Sequence, residues 1–324
     1  MKAKILERYE INDQQWNDCV ENCTNPLVYN LSWYLDIVCE KQWYGIVIEN
    51  SDQYLAILPV PFFKKYTRTI VRQPIFTQQL GISSRSVKSI YSQSLLLTLI
   101  DSFDYINPLH LNNLSSEHDF LNTKKLNVTN AVNHILPLRE EYRFIESKFR
   151  RDRKKDIRKA KEIEQKIIAS ENIFELFEMF NESVSPKLDG GLNLKTKEYL
   201  TKIAKECFDR KIGKLLYTQH PDKQIGAGAF FILWKNRIIY LIGASYNKYR
   251  KLNGRSLIIQ QLLLEYSVSD FIFDFESPHH APEVAEYYQS FGATKEIYPI
   301  ISYENLPLWI TTLRKAKKSI IEMF

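Results

Sequence analysis

Glycine is scarce. The 324 residues contain only 10, about half the usual share of roughly 7%. Each one is therefore expected where the backbone needs an unusual angle or a close approach. Eight lie between Gly190 and Gly292, and the first half holds only Gly45 and Gly81. Neither Gly-x-x-x-x-Gly-Lys-Ser/Thr nor Gly-x-Gly-x-x-Gly occurs, which excludes a Walker A loop and a dinucleotide fingerprint. Cysteine is also sparse. Cys19, Cys23, Cys39 and Cys207 cannot staple a chain of this length, and no Cys-x-x-Cys is present. Cys19 and Cys23, four apart, read as core residues on one helix face. The best apolar run, Ile225–Trp234, is ten residues, whereas a membrane span needs about 20. Met1-Lys-Ala-Lys-Ile runs into Glu7 and Arg8 without an apolar stretch, so no signal peptide is expected. These absences point to a soluble, reduced, cytoplasmic protein.

What is present is ordinary globular material: 44% hydrophobic and 25% charged residues, enough for a sizeable core. The length suggests two domains. The net charge is +6, and its distribution is uneven. Between Lys148 and Lys161 stand nine basic residues against Asp152 and Asp156. That segment carries seven net positive charges, which leaves the rest of the chain at one net negative. At about 100° per residue, Ile145, Phe149, Ala160, Ile163 and Ile167 share one side of a helix. Every basic residue of the segment except Arg153 falls on the opposite half. Such a face is either the solvated side of a docked helix or a surface for a phosphate-rich partner. Arg151, Lys155 and Arg158 are the candidate phosphate or nucleic-acid contacts. No aromatic residues interleave with these charges, so base stacking is not indicated.

An internal repeat organises the chain. In the second half the pattern predicts strands at 214–219, 225–234 and 238–244, a helix from about Ser256 to Val268, a strand at 271–276, a short helix at 283–290 and a last strand near 297–303. The first half repeats the order: strands at 44–49, 53–60 and from 68, a helix at 86–103, a strand at 105–111, a short helix at 117–125 and a closing strand at 128–136. Arg85-Ser86 and Arg255-Ser256 open the corresponding helices. Two αβ domains are expected, 1–138 and 139–324, the second beginning with the basic helix.

In the second copy a strand leads into a basic turn, Lys248-Tyr-Arg250-Lys251-Leu-Asn253-Gly254-Arg255-Ser256, and then an apolar helix. A helix start offers unpaired N–H groups and a positive dipole end to an anion. Arg250, Lys251 and Arg255 add charge there. Gly254 allows close approach, and Ser256 is a natural N-cap. The alternative reading is an ordinary turn with an Asn-Gly corner.

This order of elements resembles the GCN5-related N-acetyltransferase (GNAT) fold, a mixed α/β architecture. Lys251-Leu-Asn-Gly254-Arg-Ser256 is similar to that family's Gln/Arg-x-x-Gly-x-Gly/Ala pyrophosphate loop, with Lys in first place and Ser in last. Tyr288-Gln-Ser-Phe-Gly292-Ala293 keeps the Tyr and Gly of another family motif but ends in Ala. Three stretches resemble the Fem-like branch, tandem GNAT proteins of peptidoglycan interpeptide-bridge type. These are Gln73-Pro-Ile-Phe-Thr-Gln-Gln-Leu-Gly81, the basic helix ending Ile157-Arg-Lys-Ala160, and Phe273-Asp-Phe-Glu-Ser277. The resemblance implies transfer of an acyl or aminoacyl group from acyl-CoA or aminoacyl-tRNA to an acceptor amine, a small molecule or cell-wall precursor, in a cleft between two units. It also implies that the first unit, whose Gly81-Ile-Ser-Ser-Arg85 carries one charge, shapes substrate rather than binding donor. The long heptad arm of some Fem proteins is absent.

Amide formation needs a neutral amine, a stabilised oxyanion and a protonated leaving group. Strand 238–244, distorted at Gly243, is the expected source of main-chain donors. Asp274 and Glu276 alternate with phenylalanines and are expected on one face, where an apolar setting would raise a general base's pKa. Either could instead pair with a base. Tyr288 is the general-acid candidate that the resemblance implies. No metal is expected: His279-His280 do not share a helix face. Asp189-Gly190-Gly191 is either a mobile loop over substrate or a plain loop. Two other functions stay open. One is a binding module that has lost donor chemistry, as the degenerate loop and the missing His base would allow. The other is a nucleic-acid binder that uses the basic helix.

Overall fold

The computed structural model describes residues 2–51, 53–65, 68–86, 89–112, 126–187, 193–278 and 281–305. The expected helix at 117–125, Asp189-Gly190-Gly191 and His279-His280 lie outside the described residues. The chain divides into two units, Met1–Ala131 with Tyr298–Phe324, and Val132–Ile297.

The first unit runs β1 (Lys4–Glu7), α1 (Asp13–Glu21), α2 (Ser32–Val38), β2 (Trp43–Glu49), β3 (Tyr54–Lys65), β4 (Arg68–Val71), β5 (Ser83–Ser84), α3 (Ser89–Ser102) and β6 (Tyr105–His110). Asn12 caps α1, its side chain accepting from the Gln15 N–H at 3.1 Å, as short polar residues do at helix starts. Trp16 of α1 packs on Trp43 of β2 with ring centroids 4.9 Å apart. A Cβ at Gly45 would sit 2.6 Å from the Trp16 ring, so this glycine marks a close approach. Cys19 and Cys23 are both buried, although α1 ends at Glu21 and only Cys19 is helical.

The chain continues with β7 (Asn127–Pro137), α4 (Tyr142–Ser147), α5 (Arg151–Glu162), β8 (Lys166–Ser170), α6 (Phe174–Ser183), α7 (Leu194–Asp209), β9 (Gly213–Gln219), β10 (Ile225–Trp234), β11 (Arg237–Ser245), α8 (Gly254–Glu265), β12 (Ile272–Asp274), α9 (Pro282–Gln289) and β13 (Thr294–Glu304). β8, β9, β10 and β11 pair antiparallel in turn. β12 then lies parallel to β11, and β7 antiparallel to β12. α8 buries Leu257, Ile258, Ile259, Leu262 and Leu263, and the last four join Phe231, Tyr240, Phe273, Phe275 and Phe291 in one core cluster.

Two strands depart from the sequential reading. β7 pairs with β12 at Ile135–Pro137 and completes the second unit's sheet. β13 pairs with β6 at Ile300–Glu304 and completes the first. Sequence order states that a strand exists and not which open edge it takes.

The basic segment is also not one helix. It breaks at Lys148–Arg150, because Phe149 turns into the core against Phe291, centroids 5.4 Å apart. The Arg150 N–H leaves the helix to donate to the Ser290 carbonyl at 2.9 Å. Gly292, at φ +78°, passes so close that a Cβ there would sit 2.7 Å from Lys148 Cβ, a position that favours glycine. Ile167 lies on β8 rather than on a helix.

Candidate functional site

The site forms where two parallel strands part. β11 pairs with β12 only at Arg237–Ile272, Ile238–Phe273 and Ile239–Asp274. β11 then continues to Ser245, while the chain after Asp274 follows β7, with the Phe275 N–H donating to the His134 carbonyl at 3.0 Å. A wedge opens between residues 240–245 and residues 275–277. On its other edge β11 shifts register against β10: Phe230 faces Ile242 and Phe231 faces Tyr240, leaving Leu241 as a bulge. Bulges of this kind re-aim backbone and side chains near functional sites. The distortion thus sits at Leu241 and not at Gly243. Gly243 serves the packing of Tyr240, whose ring would meet a Cβ there.

Glu276 stands at the wedge with φ +47°, a left-handed conformation that costs a non-glycine residue about 1–3 kcal/mol and needs support from its surroundings. That support is explicit. Its N–H donates to Asp274 Oδ1 at 3.0 Å, and the next N–H, Ser277, donates to Asn133 Oδ1 at 3.0 Å. Asn133 Nδ2 donates to Asp274 Oδ1 at 2.8 Å, and Arg237 Nη1 to Asp274 Oδ2 at 2.6 Å. His134 Nδ1 meets the Ser277 hydroxyl at 2.7 Å, and Gln289 Nε2 meets His134 Nε2 at 2.9 Å. Burial, followed by the charge of Lys295, lowers the His134 pKa.

The two carboxylates therefore part company. Asp274 is locked among Arg237, Asn133 and the Glu276 amide. Glu276 has its Oε1 shielded from solvent with no hydrogen-bond partner. Burial pushes the Glu276 carboxyl well above the usual range. The expectation of a shared face holds for the strand alternation alone, because β12 ends at Asp274 and the turn at Glu276 redirects the next side chain.

Tyr288 comes from α9, a helix started by Pro282, which suits a first-turn position. Its ring packs on Phe275, centroids 4.9 Å apart, and on Tyr240 at 5.9 Å. Burial, then the neighbouring Tyr240, pushes its phenol well above the ordinary value. Tyr288 therefore stays protonated, as a proton donor must. Burial likewise pushes the Tyr240 phenol up to about 12.

Helix α8 starts two residues earlier than its sequence suggests. Asn253, left-handed at φ 59°, precedes it. Ser256 is not the cap: it is buried, accepts from Arg153 Nη1 at 2.8 Å and meets the Tyr287 hydroxyl at 3.0 Å. Gly254 packs tightly, since a Cβ would lie 2.6 Å from Thr218 Oγ1 and 2.9 Å from Ala227 Cβ. Among the described residues no acceptor meets the N–H groups of Gly254 or Arg255, so two bare amides remain at the helix start. Arg250 and Lys251 are exposed beside them, in a 3-10 turn over Asn247–Leu252. Arg255 instead turns inward, its guanidinium carbon 5.4 Å from the Tyr287 ring centre. This set of amides and cations fits a phosphorylated carrier at Arg250, Lys251, Asn253 and Gly254, and does not use Ser256 for it.

On α5, Arg151, Lys155 and Arg158 are exposed, and Arg153 is the one buried base. The helical wheel isolates that residue from sequence alone. Tyr240, Tyr287, Arg237 and His134 escape the sequence reading. Tyr240 looks like core within an apolar strand, and Arg237 looks like part of the Lys-Asn-Arg turn. Among the described residues no group of three His, Cys, Asp or Glu side chains could hold a metal, and no helix is long and apolar enough to cross a membrane.

No family model and no curated protein matches the sequence. Solved structures do match in fold. FemX aligns over 96% of this chain and 99% of its own at 12% identity and a TM-score of 0.68. L-PGS from Bacillus licheniformis aligns over 93% and 95% at 11% identity and 0.56. A tandem GNAT protein from the clavulanic acid biosynthesis pathway aligns over 94% and 99% at 10% identity and 0.51. The chain has the tandem GNAT fold. Within that class its architecture is of the Fem-like kind.

Proposed function

We propose that the second unit is an N-acyl or aminoacyl transferase domain, joining an acyl group from acyl-CoA or aminoacyl-tRNA to an acceptor amine. One observation carries this reading: a half-buried carboxyl (Glu276) whose Oε1 is shielded without a partner, and a buried phenol (Tyr288), flank a wedge where β11 has lost its partner β12. The donor supplies an activated carbonyl, and the chain's own groups do the rest. Glu276 takes a proton from the attacking amine as the C–N bond forms. Unladdered main-chain N–H groups of β11 stabilise charge on the carbonyl oxygen. Tyr288 gives its proton to the sulfur or oxygen that leaves. A carboxyl that burial raises well above its ordinary range is the stronger base for this proton transfer.

Arg250 and Lys251, with the amides of Gly254 and Arg255, would hold the carrier's phosphates. Arg151, Lys155 and Arg158 would extend that contact to tRNA. A cell-wall precursor amine, a cytoplasmic setting and the domains 1–138 and 139–324 belong to the same proposal.

The test supplies acetyl-CoA and charged tRNA separately, each with a panel of amines, and follows free thiol or deacylated tRNA. Glu276→Gln and Tyr288→Phe are each expected to lower kcat by about 10²- to 10³-fold. Arg250→Glu with Lys251→Glu should raise KM for the donor. If the folded protein neither binds nor consumes either donor at millimolar concentration, the reading fails.

A further inference from the structure

Three arginines pack into the interior of the second unit, and two are neutralised. Arg237 pairs with Asp274 at 2.6 Å and with Glu296 at 3.5 Å. Arg153 pairs with Asp156 at 3.3 Å and donates to Ser256 and Ser290. Arg255 has no carboxylate within ion-pair distance among the described residues. Its neighbours are phenols: Tyr240, Tyr287 and Tyr288. Burial opposes its charge, those rings favour it, and it stays a cation. The residue is half-buried, with its guanidinium against the Tyr287 ring, the combination expected of a residue in the wall of a recess.

Beside it, the Tyr240 hydroxyl is buried, and Arg255 is the group that approaches it. A shielded cation with no counter-charge is costly, and a ligand anion that accepts from both the guanidinium and the Tyr240 O–H would offset that cost. We infer that Arg255 recognises a carboxylate on the substrate, so that the wedge takes an acyl group or an acceptor amine with a carboxylate near the reacting atoms.

The choice of carboxylate over phosphate follows from charge and shape. A guanidinium offers a planar fork that matches a carboxylate's two oxygens, and the Tyr240 hydroxyl supplies a third donor. One guanidinium balances one carboxylate. A phosphate of charge near −2 would leave excess negative charge beside Glu276, which also adjoins Tyr288. Cations for a phosphorylated carrier stand outside instead, at Lys248, Arg250 and Lys251, all exposed.

The inference rests on the acyl-transfer reading for its meaning, and its first test does not depend on catalysis. The full chain, 15N-labelled in arginine, is titrated with glutarate, with its dimethyl ester and with inorganic phosphate. Glutarate should shift the Arg255 Nε–H resonance with millimolar affinity, and the diester should bind at least tenfold more weakly. Arg255→Met should abolish the effect and Arg255→Lys should retain part of it, with folding checked by circular dichroism. The idea is overturned if glutarate fails to bind the folded wild type, if Arg255→Met binds it equally, or if phosphate binds more tightly than glutarate. Should Arg255→Met not fold, the comparison of glutarate with its diester on the wild type decides.

A second experiment locates the carboxylate. Succinyl-CoA against butyryl-CoA tests the acyl side, and alanine against alaninamide tests the amine. A tenfold preference in kcat/KM that disappears in Arg255→Met and partly survives in Arg255→Lys identifies the side. Transfer without any such preference overturns the specificity role. Failure of every donor to react, with glutarate still bound through Arg255, sinks the transferase reading alone.

Discussion

The Glu276 N–H donates to Asp274 Oδ1 at 3.0 Å, so one carboxylate fixes the backbone that aims the other. The pair divides a labour that the alternating sequence presents as equivalent. Asp274 is held in place by Arg237 and Asn133. Glu276, left-handed and shielded, is driven towards its neutral form by burial.

A pH dependence of stability follows from this. The folded pKa of Glu276 lies above its unfolded value, so the folded state holds a proton that the unfolded state has lost. The stabilising effect is complete below the unfolded pKa, about 4.3 for a glutamate. It is lost as pH rises through the folded pKa, at up to about 1.4 kcal/mol per pH unit. Glu276→Gln removes the titration. Urea melts of wild type and variant should agree most closely near pH 4, and the variant should gain on the wild type as pH increases. A constant difference across this range would contradict a raised pKa.

Arg237 and Asp274 form a buried pair, with side chains 9% and 3% exposed. Removing one partner strands the other in the interior, which costs about 3–5 kcal/mol. Arg237→Met and Asp274→Asn should each lower the unfolding free energy by roughly that amount in denaturant titration. The double replacement with apolar residues should recover part of the loss. Additive losses would mean that the pair contributes no coupling.

Legibility followed the range of the interactions involved. The strand Ile225–Trp234 is local and appears at the bounds the pattern gives, while the turn after it is shorter than read, since Arg237 already pairs with Trp234. Arg153 stands out as the lone base on the apolar side of its helix, and it is buried. The left-handed turn at Glu276 is unreadable, because its partner Asn133 lies 143 positions earlier in the chain. Arg255 reads as a rim residue until α8 is seen to begin at Gly254, with Tyr287 packed over the guanidinium. The edges taken by β7 and β13 belong to topology, which no local pattern encodes.

Gly243 and Tyr240 supply a packing test of the wedge. An alanine Cβ at Gly243 would meet the Tyr240 hydroxyl and lie 2.6 Å from its Cζ. Gly243→Ala should therefore cost about 1–3 kcal/mol, the usual range for overpacking. Tyr240→Phe removes the oxygen in conflict, and the double variant should recover at least half of that loss. Thermal melts of the three variants are sufficient. If Gly243→Ala is as stable as the wild type, Tyr240 does not occupy the place assigned to it.

The basic face of α5 separates the donors. Neither Arg151 nor Lys155 has an ion-pair partner among the described residues, and Arg158 reaches Glu162 only at 3.8 Å. All three are exposed, so changing them to Glu should leave the melting temperature nearly unchanged. If these residues meet tRNA phosphates, each lost contact should flatten the log–log salt dependence of tRNA binding by about 0.7–0.9. The triple variant should then lose about two to three units of slope, with acyl-CoA binding unaffected. An unchanged slope would make this face an ordinary solvated surface. The donor would then be held by the α8 amides with Arg250 and Lys251 alone, and a short carrier such as acyl-CoA would suffice.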